Sequence, residues 1–221
     1  MGRFVNTEIP GMPDLVPTRV LREDWEVLSR LEYLDLEKAK LLNARTIAVG
    51  AAADATPFFP ANAPGTLSYH YGTFSLRNEF VGDVWTVDRT NGVETIKNEA
   101  KRIKVVFANV DIACNDNHEP KPRSSKGAGA ERLCAGNDLF GGLPRYVRAP
   151  ETEDGWTVFY LMVAPDGAAE LSRPIVKGGT FKQYVERLYL SDGSDLDTEP
   201  TLSLDDDDIA DDFDPQVARK K

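Results

Sequence analysis

The chain has 221 residues, 41% of them hydrophobic and 28% charged, with 2 cysteines and a formal net charge of −10. That length and apolar share suffice for one buried core and exclude a disulfide scaffold, and the absence of any run of about 18 apolar residues excludes a membrane-spanning helix. The charge is uneven: residues 192–221 hold 11 acidic and 3 basic groups, which leaves residues 1–191 near neutral at −2, so the overall acidity does not argue against an anionic ligand for the body.

Met1–Asn6 carries neither an apolar signal core nor a cleavage site, and Asn6 breaks the myristoylation pattern that Gly2 opens, so the expectation is a cytoplasmic protein with reduced thiols and no membrane partner. Pro10, Pro13 and Pro17 make residues 1–19 an extended N-terminal arm. Residues 20–43 predict the longest helix, because Leu21, Trp25, Leu28, Leu31, Leu36 and Ala39 recur at roughly helical steps with no Gly or Pro between them. Residues 46–50 read as a short buried strand, and residues 51–65 as a proline-rich loop whose Phe58 and Phe59 plug into the body. Residues 66–74 alternate and are rich in aromatics, which predicts a strand, with one helical turn over Ser75–Phe80.

Asp83–Asp88 alternates again, Asn91-Gly92 signals a turn, and Val93–Lys101 fits either a short helix or a strand. Residues 103–113, dense in β-branched side chains, make the clearest strand. Residues 114–149 lack any steady apolar period and read as a long loop of the kind that is functional or disordered. Residues 156–164 and Ala169–Val176 form a strand pair across the Pro165-Asp166-Gly167 turn. Thr180, after Gly178-Gly179, caps a helix from Phe181 to Leu190. The sum is one α+β globular domain over residues 20–191, with a mostly antiparallel sheet, a long N-terminal helix and a C-terminal helix, followed by a disordered acidic tail over 192–221.

Four features bear on chemistry. The long loop gathers acids, bases and a histidine, so in an enzyme His118 would be the general base, with Asp111 and Asp116 holding a cation. No cofactor is expected. The alternative is a divalent cation or a zinc ion on Cys114, His118 and Cys134, with His70 or an aspartate as fourth ligand. Ser124–Arg132 is suited to phosphate, since its glycines let backbone N–H groups approach an anion and Lys126 adds charge, but it matches neither a Walker A loop nor a dinucleotide fingerprint. Residues 97–148 hold 10 basic and 6 acidic groups. Lys104, Arg123, Lys126 and Arg132 are therefore candidate contacts to a phosphate backbone, with Tyr69, Tyr71, Phe74 and Trp85 as stacking surfaces.

In the tail, Asp205–Asp208, Ile209, Ala210, Asp211, Asp212, Phe213 and Asp214 place two apolar residues four apart in a run of aspartates. This segment resembles the acidic tip of bacterial single-stranded-DNA-binding proteins, where an aspartate run ends in an apolar pair. It departs from that tip in having Ala210 where proline stands and in continuing through Val217–Lys221 instead of ending on phenylalanine. The resemblance implies partner docking through Ile209 and Phe213.

The leading expectation is a non-catalytic binding protein for single-stranded nucleic acid, with a tail that recruits protein partners or covers the basic surface. An enzyme acting on a phosphate-bearing substrate, a nuclease or hydrolase with the 114–149 loop as active site, is the alternative. A structural subunit of a larger assembly is the third.

Overall fold

The computed structural model describes residues 18–141 and 155–196, with side chains over 18–134 and 155–196. Of the predicted arm over 1–19, residues 1–17 lie outside the described residues and Arg19 begins a strand. Of the predicted tail over 192–221, residues 197–221, with Ile209 and Phe213, lie outside them and Ser194–Leu196 forms a 3-10 turn; Arg145 and Arg148 also lie outside.

The strands β1 (Arg19–Leu21), β2 (Thr86–Asp88), β3 (Thr95–Asn98), β4 (Ile103–Asn109), β5 (Thr157–Val163), β6 (Ala169–Lys177) and β7 (Thr180–Ser191) build one sheet in the order β1-β7-β6-β5-β4-β3-β2. Pairs β1–β7 and β4–β5 are parallel, and the other four pairs are antiparallel. The α+β class and the largely antiparallel sheet therefore hold. One connection differs from expectation: β4 returns to β5 through α4 (Ala128–Gly141), a βαβ crossover inside the segment read as a loop.

Alternation along β4 sends Ile103, Val105 and Phe107 to one face and Val106 and Ala108 to the other. The first face packs on α1 (Asp24–Tyr33), α2 (Lys38–Ala53) and α3 (Ala63–Phe80), and the second on α4 and the segment before it. Covering both faces explains why β4 and β5 read as continuous apolar runs. Among the described residues no helix is long and apolar enough to cross a membrane.

Four helix and strand assignments are corrected. The predicted helix over 20–43 is broken. Its first residues belong to β1, and α1 ends in a left-handed Asp35 (φ 57°). Asp35 N donates to Glu32 O at 3.0 Å and Leu36 N to Leu31 O at 2.9 Å, a Schellman stop with aspartate in the usual glycine position. Tertiary contacts hold that aspartate: Trp85 Nε1 donates to its carbonyl at 2.9 Å, and Asn98 Nδ2 and Lys101 Nζ donate to its carboxylate at 2.9 and 2.6 Å. No glycine or proline announces the break.

Residues 46–50 and 66–74 are helical, within α2 and α3, not strands. The buried positions of these helices include many small side chains, Ala44, Ala48 and Ala51 on α2 and Ser68, Gly72 and Ser75 on α3, so the buried stripe has helical spacing with few bulky residues to reveal it. Gly72 lies so close to β4 that a Cβ there would overlap the Phe107 ring.

Residues 181–190 are strand β7, not a helix. Against β6, the strand advances two residues for one at three places, between the partners of Ala169 and Glu170, of Arg173 and Pro174, and of Ile175 and Val176. Each bulge inserts a residue, so Phe181 and Tyr184, three apart, share a face and mimic helical spacing.

Candidate functional site

Residues 110–122 are not an irregular loop. Val110 bridges to Pro122, Asp111 N donates to Lys121 O at 3.0 Å, and Arg123 N donates to Asn109 O at 3.0 Å, which closes a compact Ω-type excursion. Its interior is held by the residues expected to do chemistry. The Asp111 carboxylate accepts from Ile112 N at 2.8 Å and Lys121 N at 2.7 Å, and meets His118 Nε2 at 3.0 Å. Burial would raise the Asp111 carboxyl, but these bonds outweigh it and hold it below the ordinary carboxylate value. Asp116 accepts from Arg22 at 2.6 Å and from the Tyr189 hydroxyl at 3.0 Å. Arg187 donates to the carbonyls of Asn115 and His118 at 3.1 and 3.2 Å, and the Tyr184 hydroxyl donates to Pro120 O at 2.6 Å.

The zinc candidates do not converge. The Cys114 thiol donates to the carbonyls of Ala169 and Ser191, while Cys134 is buried beneath α4 with its sulfur 3.8 Å from the Tyr160 hydroxyl. Burial pushes both thiols up to about 12, which makes them poor metal ligands. His70 is exposed on α3 beside Tyr69. Among the described residues no three His, Cys, Asp or Glu side chains cluster as a metal site.

The basic residues divide between two places rather than lining one groove. Lys97, Arg102 and Lys104 surround the Trp156 ring near the start of β4. Lys104 is buried there, its Nζ 2.7 Å from Asp88 Oδ2 and 4.9 Å from the Trp156 centroid, which suits packing rather than ligand binding. Lys101 is paired with Asp35. Trp85 is 2% exposed and stacks edge-on against Phe80, so it belongs to the core. Tyr71 and Phe74 are exposed, but Tyr71 sits two residues past Tyr69 and so on nearly the opposite side of α3. Arg132 is exposed on α4.

Arg123, Lys126 and Tyr69 do come together. They line a cleft of about 510 Å³ with Asn62, Thr66, Asn109, Ser124, Ser125, Gly127 and Tyr160. A second lobe of about 250 Å³ shares Pro64, Gly65, Asn109 and Arg123 and reaches Val163, Ala164 and Pro165. Together they lie at the carboxyl ends of the parallel strands β4 and β5, the usual ligand position beside parallel strands. The notch exists because β3 pairs with β4 only from Ile103 to Val106, leaving Phe107–Asn109 without a β3 partner. The far wall is the first half of α3, fixed by Asn109 Nδ2 donating to Gly65 O at 2.8 Å and Ser68 Oγ donating to Asn109 Oδ1 at 2.8 Å.

The near wall, Arg123–Gly127, is pinned by the turn between β6 and β7. Lys126 N donates to Gly179 O at 2.8 Å, and Gly179 N donates to Glu131 Oε1 at 2.9 Å. Gly179 has φ 75°, and a Cβ there would stand 2.6 Å from Ser125 Oγ, so glycine is required.

Lys126 Nζ lies 5.8 Å from the Tyr160 ring centroid and 5.5 Å from that of Phe181. Burial lowers this ammonium to about 8. Among the described residues neither Arg123 nor Lys126 has a carboxylate partner. Two cations, two serine hydroxyls and a tyrosine on one cavity can accept a phosphate and an adjoining ring. The Ser124–Lys126 composition signalled this wall, whereas Asn109 and Tyr160 come from strands whose apolar runs hid them. No protein-family model, curated protein or solved structure matches this chain.

Proposed function

We propose that this chain is a non-catalytic binding protein whose cleft between α3 and the Arg123–Gly127 segment seats a nucleotide unit of single-stranded nucleic acid. The observation that carries the reading is the meeting of Arg123, Lys126 and Tyr69 on one cavity, with both cations lacking carboxylate partners among the described residues. Phosphate would be met by the two cations and by the hydroxyls of Ser124 and Ser125, and the base by Tyr69 and the amide of Asn62. The enzyme alternative is less well supported, because His118 and Asp111 bond to each other, Asp116 is held by Arg22 and Tyr189, and none of them lines the cleft. The acidic tail enters the proposal as a tethered competitor for the same cations.

Fluorescence anisotropy with a labelled ten-nucleotide oligothymidylate over about 50–200 mM salt tests this. Arg123→Ala and Lys126→Ala are each expected to weaken binding and to flatten the slope of log K against log salt by about 0.7, the value for one lost single-strand phosphate contact. Truncation after Leu196 is expected to tighten binding. No binding by the parent, or variants indistinguishable from it, would reject the proposal.

A further inference from the structure

The loop between α2 and α3 carries two phenylalanines that the sequence places inside the body and the structure places outside it. Phe58 is 99% exposed and Phe59 49% exposed. Among the described residues nothing covers the Phe58 ring, and yet the loop is held in shape: Phe59 N donates to Thr56 O at 3.0 Å, Ala63 N donates to Pro60 O at 2.8 Å, and Pro57 and Pro60 stiffen the backbone on either side. The same loop ends in Ala61 and Asn62, which line the cleft. Three residues separate Phe58 from Ala61, a reach of at most about 11 Å along the chain. Asp54 is the only charged residue between Ala53 and Ala63, so this loop offers ring faces beside a cleft that supplies the cations.

Resting on the cleft reading above, we propose that the ligand is a strand of at least three nucleotides and that Phe58 and Phe59 form a stacking platform for bases adjoining the seated one. Every base has a π-face, so such a platform adds affinity with little sequence preference, and a loop whose backbone is already held loses little backbone freedom when a base covers its rings. The neighbouring cations favour this occupant over an apolar protein segment, which would leave Arg123 and Lys126 unused.

The test compares thymidine monophosphate with thymidylate oligomers of two to eight nucleotides, on the parent and on a Phe58→Ala/Phe59→Ala double variant, by calorimetry. The Phe58 ring bears no packing load, so the variant is expected to fold, and its thermal transition checks this. For the parent, affinity should rise about tenfold or more between the monophosphate and the trinucleotide. For the variant, trinucleotide affinity should fall by about 5- to 100-fold while monophosphate affinity is unchanged. If the monophosphate binds but length adds nothing, or if the variant holds the trinucleotide as the parent does, the platform is wrong and the cleft reading survives. If neither monophosphate nor oligomer binds, the cleft reading itself falls and the platform with it.

Discussion

Glu170→Ala is expected to destabilise the fold by about 3–5 kcal/mol, the usual cost of removing one partner from a buried ion pair. Glu170 is 0% exposed and lies on β6 in the middle of the sheet. Arg187 grips it with a two-pronged contact, Nε at 2.9 Å and Nη2 at 2.7 Å, while Ser172 Oγ at 2.6 Å and Cys114 N at 2.8 Å donate to the same carboxylate. Without it, a buried guanidinium keeps no carboxylate among the described residues, and retains the carbonyls of Asn115 and His118 and the Tyr184 and Tyr189 ring faces. The Ω-type excursion that leads into Arg123 would lose its anchor with the pair. At roughly 2–4 °C per kcal/mol for a domain of this size, the midpoint of thermal unfolding should fall by about 6–20 °C. Urea unfolding followed by circular dichroism measures the loss directly. The exposed Lys38–Asp24 pair provides the contrast, since Lys38→Ala should cost less than about 1 kcal/mol. Replacing both Glu170 and Arg187 with apolar residues of similar volume should recover much of the deficit, because the pair's net contribution is small once neither charge is stranded. A Glu170→Ala loss below about 1 kcal/mol would contradict this account of the sheet's centre.

Affinity for an oligothymidylate is expected to fall above pH 8 at fixed ionic strength, by at most about tenfold per pH unit, the limit for one linked proton. Lys126, lowered to about 8 by burial beside Tyr160 and Phe181, is protonated below that pH and loses its charge as pH rises through it. Phosphodiesters do not titrate in this range but the thymine N3–H does toward its upper end, so the profile is repeated with an oligodeoxyadenylate, which has no such proton, and the change seen there belongs to the protein. Lys126→Arg should retain binding and abolish the dependence, because a guanidinium stays charged throughout. The effect on folding has the opposite sign. The unfolded chain holds the Lys126 proton up to about 10.5 and the folded chain releases it near 8, so between these values the unfolded state binds more protons and Lys126's contribution to stability rises with pH. The stability difference between the parent and Lys126→Met, followed from pH 7 to pH 10, isolates that contribution. Affinity that stays level to pH 10, or a Lys126→Arg variant with the parent's profile, would contradict it.

Strands β4, β5 and β6 were legible because each is a short apolar run bounded by turn residues, and Pro165-Asp166-Gly167 marks the hairpin between β5 and β6. Helices α2 and α3 were not, because alanine, glycine and serine fill many of their buried positions and few bulky residues carry the period. Strand β7 was hidden by its bulges, which stretch the two-residue period of a strand to spacings of three, as from Phe181 to Tyr184. The site was half legible. Serine, lysine and glycine over residues 124–129 announced an anion-friendly segment, but only the fold sets Tyr69 and Asn109 opposite it. The excess of basic residues over 97–148 was misleading as a single surface, since β3, the turn after it and the start of β4 carry Lys97, Arg102 and Lys104 to Trp156 and away from Arg123 and Lys126. His118, Asp111 and Asp116 looked catalytic by type, and their hydrogen bonds make them the frame of the segment before the cleft.

Amide chemical-shift mapping on the full chain, titrated with a trithymidylate, addresses the central claim most directly. The cleft account predicts that the largest shifts fall on Gly65, Thr66, Asn109 and Ser124–Gly127, the residues lining its two walls. Shifts centred instead on Asp111–His118, or spread over Lys97, Lys101 and Arg102 with none at Ser124–Gly127, would contradict it.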